Sequence, residues 1–413
     1  MYINLVSAVE EISFLLLLVF TPLASGATSR WAFCISVWLA LAATTAMVLK
    51  RLWQDQSLLP RTSLEVPLAL LLLLALVSLF ISVYRPATEW ALLRLLLYMS
   101  VFYLTLDLTA SRKRTRRLIL TVMCMGTFIA MLGFVKLGGG PFPSFWIYSK
   151  PGPELQLTST FINHNHLAGY LEMVFALGLG MLLQRPILHP VALASLLILI
   201  LAAIFLSMSR GGWIATFAGS GFMLLVFALL EKPKKWKIGV TVFAFVLVAG
   251  LSFLGSNAMI ERLQSLQNPD EPNLAGIRLP VWAGCSQLIS KHPFLGTGLG
   301  TFPWTFTAAR PAGLGWRFRE AHNDYLQIVT ELGLPVLIPI FWGISLVFRM
   351  GFQKLDGKTG QFHSGVALGS LGGITAILVH SMTDFNIQIT SNGVLFSTLI
   401  GLVADGGDGR KGS

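Results

Sequence analysis

Residues 190–230 read PVALASLLILILAAIFLSMSRGGWIATFAGSGFMLLVFALL. Two apolar runs, 190–208 and 211–230, meet at Ser209-Arg210-Gly211-Gly212, and Arg210 is the one charged residue of the whole stretch. Each run is long enough to cross the hydrocarbon of a bilayer, which takes about 17–25 residues. Inside lipid the backbone must satisfy its own hydrogen bonds, so each run is expected to be a helix. The pair predicts a membrane hairpin with an arginine at its turn.

The same pattern recurs along the chain. Apolar stretches near 7–26, 31–49, 66–84, 89–109, 118–138, 166–184, 190–208, 211–230, 238–256, 323–348, 364–384 and 391–404 predict about 12 transmembrane helices. Composition agrees. Of 413 residues, 54% are hydrophobic and only 12% charged, against about 25% charged in soluble domains. Mean hydropathy is +0.71. The expected fold is therefore all-α, a polytopic helical bundle. It forms a single transmembrane domain over 1–404, with one large outer loop at 257–322 and a disordered Gly-rich tail at 405–413. The first apolar segment lacks a basic flank and a small-residue cleavage site, so it reads as a retained helix.

The net charge of +11 would point to nucleic acid in a soluble chain. Here the basic residues fall in short runs between apolar stretches, which is the signature of membrane topology; no nucleic-acid partner is expected. With the N-terminus inside, the inner loops hold 18 of the 30 Lys and Arg residues, including Lys50, Arg51 and the run Arg112 to Arg117. Four segments are then expected to meet at the outer face: the 139–165 loop, the Ser209–Gly212 turn, the 257–322 loop and the connection around Asp384 to Ser391. Three cysteines, Cys34, Cys124 and Cys285, form neither a disulfide framework nor a CxxC metal site.

The unusual polar residues lie in those outer segments. Arg210 either snorkels to lipid headgroups beside Trp213 or faces a ligand, and a Gly-Gly pair lets a backbone or ligand approach closely. Arg278 opens an amphipathic stretch to Ser290, followed by a Gly-rich turn over 296–300 that has no phosphate-loop signature. His322 stands at the mouth of the next helix, where a histidine can take a proton near neutral pH. Asn323, Gln327 and Glu331 share one face of that helix, and interhelical hydrogen bonding is their simplest role. Asn163-His164-Asn165-His166 lacks a third metal ligand, and Asn163 or Asn165 as an N-cap explains part of it. No metal and no cofactor are expected. Glu172, Arg94 and Asp384 read as packing ion pairs.

These residue types suit one chemistry. A sugar leaving a polyprenyl diphosphate puts growing negative charge on phosphate, which the planar arginine fork binds in two-point fashion. The acceptor hydroxyl needs a base, and a positioned neutral histidine supplies one.

Three segments give the chain a family resemblance: Asn163-His164-Asn165-His166-Leu167-Ala168-Gly169-Tyr170-Leu171, the Ser209-Arg210-Gly211-Gly212 turn, and the stretch from Arg278 to His322-Asn323-Asp324-Tyr325-Leu326-Gln327 with Glu331-Leu332-Gly333. A later His380-Ser381 with Asp384-Phe385-Asn386 adds to it. The chain resembles the O-antigen ligase and O-antigen polymerase superfamily of bacterial envelope proteins over roughly residues 155–400. The resemblance implies a C-type glycosyltransferase architecture in the inner membrane, with its site facing the periplasm. It implies an undecaprenyl-diphosphate-linked glycan as donor, a lipid A-core or glycan acceptor, and inverting, metal-independent transfer. By position Arg210 and Arg278 match the diphosphate-binding arginines and His322 the catalytic histidine. Arg317, Arg319, Asn163, Asn165 and Asn323 are candidate auxiliary residues. Ligase is the leading expectation. A repeat-unit polymerase is the alternative, and from another class a transporter or lipid flippase, although no symmetric pair of broken helices supports one.

Overall fold

The computed structural model of the protein describes residues 2–139, 156–230, 274–309, 318–355 and 360–404. Within them the chain is all-α. Helices α1 (Tyr2–Leu23), α2 (Arg30–Trp53), α3 (Glu65–Ile81), α4 (Arg85–Thr109), α5 (Arg112–Leu137), α6 (His164–Gln184), α7 (Pro190–Leu206) and α8 (Arg210–Leu230) come first. After them follow α9 (Leu274–Lys291), α10 (Phe302–Ala309), α11 (Asp324–Leu332), α12 (Leu337–Lys354), α13 (Gln361–His380) and α14 (Thr390–Ala404). Eight helical segments are long and apolar enough to cross a membrane, while α3, α7 and α14 are apolar but shorter. The protein is a multi-pass membrane protein.

The expected twelve spans need two amendments. The span at 238–256 lies outside the described residues, as do the 405–413 tail and parts of the 257–322 loop. The stretch 323–348 is two helices, not one. Gly333 takes φ 78°, a left-handed conformation that suits glycine, and Pro335 sits inside the short 3-10 turn Leu334–Val336 that follows. The break is packed as well as bent: Leu334 N–H donates to Pro293 O at 2.7 Å, and a Cβ on Gly333 would stand 2.5 Å from Phe294 backbone. Hydropathy averages across such a break. Conformation and packing produce it.

The buried centre of the bundle is α6 against α13. Small residues bring these helices close, as is common between membrane helices. A Cβ on Gly180 would lie 2.3 Å from Gly369 N, and one on Gly369 would lie 2.7 Å from Leu177 O. α8 packs on the other side of α13, where Gly219 faces Gly372 O in the same way. Two ends of this central layer matter below, because α6 and α8 begin, and α13 finishes, at the same face.

At the opposite end the basic residues expected on the inner side are buried in ion pairs. Lys50 at the end of α2 is buried between Glu10 of α1, at 2.5 Å, and Asp107 of α4. Arg51 Nη1 reaches Asp107 at 2.6 Å, and Arg117 of α5 reaches Glu11 at 2.7 Å. Buried charges persist only when paired and hydrogen-bonded, so this network clamps α1, α2, α4 and α5 at one end.

Candidate functional site

Asp384 follows α13 and is almost wholly buried, with 1% of its side chain exposed. Such a carboxylate needs partners, and the chain supplies them from four places. Asn165 Nδ2, in the first turn of α6, donates to Asp384 Oδ2 at 2.5 Å. His322 Nδ1, just before α11, lies 3.3 Å from Oδ1. His166 Nε2 lies 3.9 Å from the same oxygen, and Arg278 Nη2 of α9 lies 4.0 Å from Oδ2. The backbone N–H of Phe385 donates to Oδ1 at 2.9 Å. Burial pushes the Asp384 carboxyl up. The hydrogen bond from His322 and the charges of His166, His322 and His380 outweigh burial and hold it well below the usual carboxylate range.

Local sequence explains how each group arrives. Asn163 caps α6, its side chain accepting from Asn165 N–H at 2.9 Å, so Asn165 and His166 project from a fixed first turn. Asn323 caps α11, accepting from Leu326 N–H at 3.0 Å. Its Nδ2 also donates to Met382 O, and Asp324 N–H donates to Ser381 O at 2.9 Å. Asp324 Oδ2 then accepts from Ser381 Oγ and from Ile387 N–H. α11 is therefore tied to the chain on both sides of Asp384. His322 is held at φ 51°, a backbone conformation costly for a residue with a Cβ.

The residue before His322 is pinned too. Ala321 N–H donates to Gln327 Oε1 at 3.0 Å, and Ala321 O accepts from Trp282 Nε1 at 3.1 Å. Trp282 lies one turn after Arg278 on α9, so one contact fixes the arginine helix to the histidine loop. Phe385 completes the arrangement: His166 and His322 both meet its ring edge-on, with centroids 4.6 and 4.9 Å apart.

Glu331 accepts from Gly300 N–H at 2.7 Å and from Phe302 N–H, the first residue of α10, so it joins α11 to that helix and to the Gly-rich turn. Gln327 differs from its expected interhelical role: its Nε2 donates to Glu320, in the His322 loop. Gly296, with φ 65°, sits so close to the Glu331 carbonyl that a Cβ would lie 2.3 Å from it. Burial raises Glu331 to about 8 and Asp324 to about 7.

Arg210 begins α8 beside this cluster. Its neighbour Gly211 packs so tightly that a Cβ would lie 2.8 Å from His380 Cδ2 and from Thr383 Oγ1, and one on Gly212 would lie 2.6 Å from Ala168 Cβ. The two glycines are required by backbone approach between α8, α6 and the Asp384 turn. The Arg210 side chain is half-buried. Arg278 is mostly buried, and its Nε has no hydrogen-bond partner among the described residues. Arg319 is exposed on the loop and is not among the groups around Asp384. Arg317 lies outside the described residues. Among the described residues no group of three or more His, Cys, Asp or Glu is arranged to hold a metal ion.

All four segments expected at one face contribute to this cluster through their described residues. Sequence reasoning gave Arg278, His322 and Asn165 and missed the group that joins them. Asp384 was expected to be a packing ion pair, although its place in His380-Ser381-Met382-Thr383-Asp384-Phe385-Asn386 was the available signal. Glu172 does pair, with His380 Nδ1 at 3.0 Å, directly beneath the Gly211 contact. Arg94 does not ion-pair; it donates to Gln388 Oε1 at 2.8 Å.

Residues 195–341 match the family model described as O-antigen ligase. This region is similar to the O-antigen ligase family. The match points to a membrane glycosyltransferase of ligase or polymerase type, acting on a lipid-linked glycan donor and a glycan acceptor. It includes Arg210, Arg278 and His322 and ends before Asp384, which the fold brings to them. No curated protein matches the chain.

Proposed function

We propose that the protein is an O-antigen ligase-like glycosyltransferase, moving a glycan from undecaprenyl diphosphate to a lipid A-core sugar hydroxyl at the periplasmic face of the inner membrane. The observation that carries this is one buried carboxylate, Asp384, with His322 at 3.3 Å and Arg278 at 4.0 Å, next to a region of O-antigen ligase type.

The chemistry assigns a role to each group. The acceptor hydroxyl oxygen attacks the anomeric carbon while the bond from that carbon to the diphosphate oxygen breaks. His322 takes the hydroxyl proton on Nε2, since Nδ1 faces Asp384. Asp384 is a positioning residue: it orients the imidazole and stabilises the imidazolium, as buried carboxylates do beside general-base histidines. The polyprenyl diphosphate leaves against Arg278 and Arg210, whose permanent charge takes the part a divalent cation plays elsewhere. Asn165 holds the second Asp384 oxygen, Asn163 and Asn323 fix the two helix starts, and Arg319 adds positive charge at the approach. Transfer inverts the anomeric centre and proceeds without metal.

The test is transfer in vitro, with purified protein, undecaprenyl-diphosphate-linked oligosaccharide and a lipid A-core acceptor, with and without EDTA. EDTA-insensitive product on the core, lost in His322→Ala, is the expected result. Longer lipid-linked glycan without core product would make the protein a polymerase. No transfer of either kind by folded protein would overturn the proposal.

A further inference from the structure

A cavity of about 300 Å³ lies between α3, α4, α11, α12, α13 and α14. That volume is at the low end for ligand pockets. Its walls are hydrocarbon over most of their length, with Leu71 on α3, Phe102 on α4, Ile344 and Val347 on α12, and Phe396 and Ile400 on α14. Along α4 it runs from Ala91 to Phe102, about 16 Å at 1.5 Å per residue. That is close to one leaflet, half of about 30 Å of hydrocarbon.

The cavity has one polar end, and that end is incomplete. Asp324 lines it with 7% exposure, and its Oδ1 has no hydrogen-bond partner. Arg94 lines it as well, and its Nε is buried without a partner while Nη1 is used on Gln388. A buried donor and a buried acceptor left unmade each cost about 1–3 kcal/mol. Glu331 also lines this end, but both its oxygens are occupied by backbone N–H groups.

The two unmade hydrogen bonds select the ligand's head. A hydroxyl meets both needs, accepting from Arg94 Nε and sharing a hydrogen bond with Asp324 Oδ1 whether that carboxyl is ionised or protonated. The side of the cavity offers a way in from the bilayer: at the seam between α3 and α12, Gly343 has only Pro67 Cβ near its missing Cβ, at 3.8 Å. Its neighbours Phe341 and Trp342 are exposed.

We infer that this cavity is a lipid-binding site that takes a single hydrocarbon chain bearing a neutral hydroxyl, entering laterally past Gly343 and bonding to Arg94 and Asp324. It adjoins the arginine and histidine cluster through Asp324 and Ser381, but none of Arg210, Arg278, His322 and Asp384 lines it. The inference does not rest on glycosyl transfer.

The test uses the full chain in nanodiscs and hexadecanol carrying a terminal diazirine, with the labelled peptides mapped by mass spectrometry after irradiation. Labelling is expected on the α4, α12 and α14 segments that line the cavity. Free hexadecanol should compete about fivefold better than hexadecane, the worth of roughly one buried hydrogen bond. Gly343→Leu, at a position with room for a side chain, should abolish the label by filling the cavity. Arg94→Met should erase the preference for hexadecanol over hexadecane. Labelling unaffected by Gly343→Leu would overturn the site. Stronger competition by a prenyl diphosphate would overturn the hydroxyl assignment and give the cavity to a donor lipid, and stronger competition by a short-chain phosphatidylethanolamine would overturn it in favour of a bulk phospholipid.

Discussion

His322 Nδ1 stands 3.3 Å from Asp384 Oδ1 across 62 residues of sequence. The contact exists because α11 is bound to the backbone on both sides of Asp384, through Ser381, Met382 and Ile387. A carboxylate behind an imidazole, with Arg278 4.0 Å from the same carboxylate, suits the proposed transfer of one proton beside a developing anion.

If Asp384 positions His322, the two act as a unit. Asp384→Asn is expected to lower kcat about 10²–10⁴-fold with the donor KM little changed, as His322→Ala does, and the double variant should be scarcely worse than either single one. Steady-state kinetics on the four proteins checks this. Additive losses would separate the residues.

Arg278 should act on the donor. Arg278→Ala removes hydrogen bonds to a charged group worth about 1.5–3 kcal/mol, so transfer efficiency should fall roughly 10–100-fold, mainly through donor KM. Arg278→Lys should recover little, because an ammonium cannot reproduce the planar fork. An unchanged donor KM would leave Arg278 as a partner of Asp384 alone.

Stability should depend on pH with a definite sign. Burial raises Asp324 to about 7 and Glu331 to about 8, each above its value in the unfolded chain. Their protonated forms are favoured by folding, so this contribution is complete at acid pH and is lost as pH rises through 7 to 8. Asp384 is lowered instead, and its contribution survives until the pH falls below the usual carboxylate range. Melting temperature in detergent should therefore decline from about pH 5 to pH 8 and then level off, and Glu331→Gln should flatten the upper part of that decline.

The α6–α13 contact should tolerate no added atom. Gly180→Ala places a Cβ 2.3 Å from Gly369 N, a backbone atom that cannot swing away, and should cost about 1–3 kcal/mol. Gly343→Ala, with its nearest neighbour at 3.8 Å, should be close to neutral. Thermal melts of the two variants make the comparison.

Membrane class and most of the helices were legible in the chain because hydropathy is a local property, summed over windows that a helix spans without help. The α6 cap was legible for the same reason, since Asn163 bonds to a backbone N–H two residues on; Asn323, expected on a face inside its helix, is instead that helix's cap. The split of 323–348 escaped, since Gly333 adds little to a hydropathy average and acts through its φ and its contact with Phe294. Lys50 was taken as a topology marker, and its burial between Glu10 and Asp107 depends on three helices meeting.

The sequence by itself determined that this is a helical membrane protein with arginines and a histidine in the polar segments between its helices, and it carried the stretch matched by the O-antigen ligase model that holds Arg210, Arg278 and His322. Only the tertiary structure decided that Asp384 is the centre of the site. A carboxylate's role depends on what surrounds it in a low-dielectric interior. Asn165, His166, Arg278 and His322 reach Asp384 from three distant parts of the chain, a convergence that no local window contains.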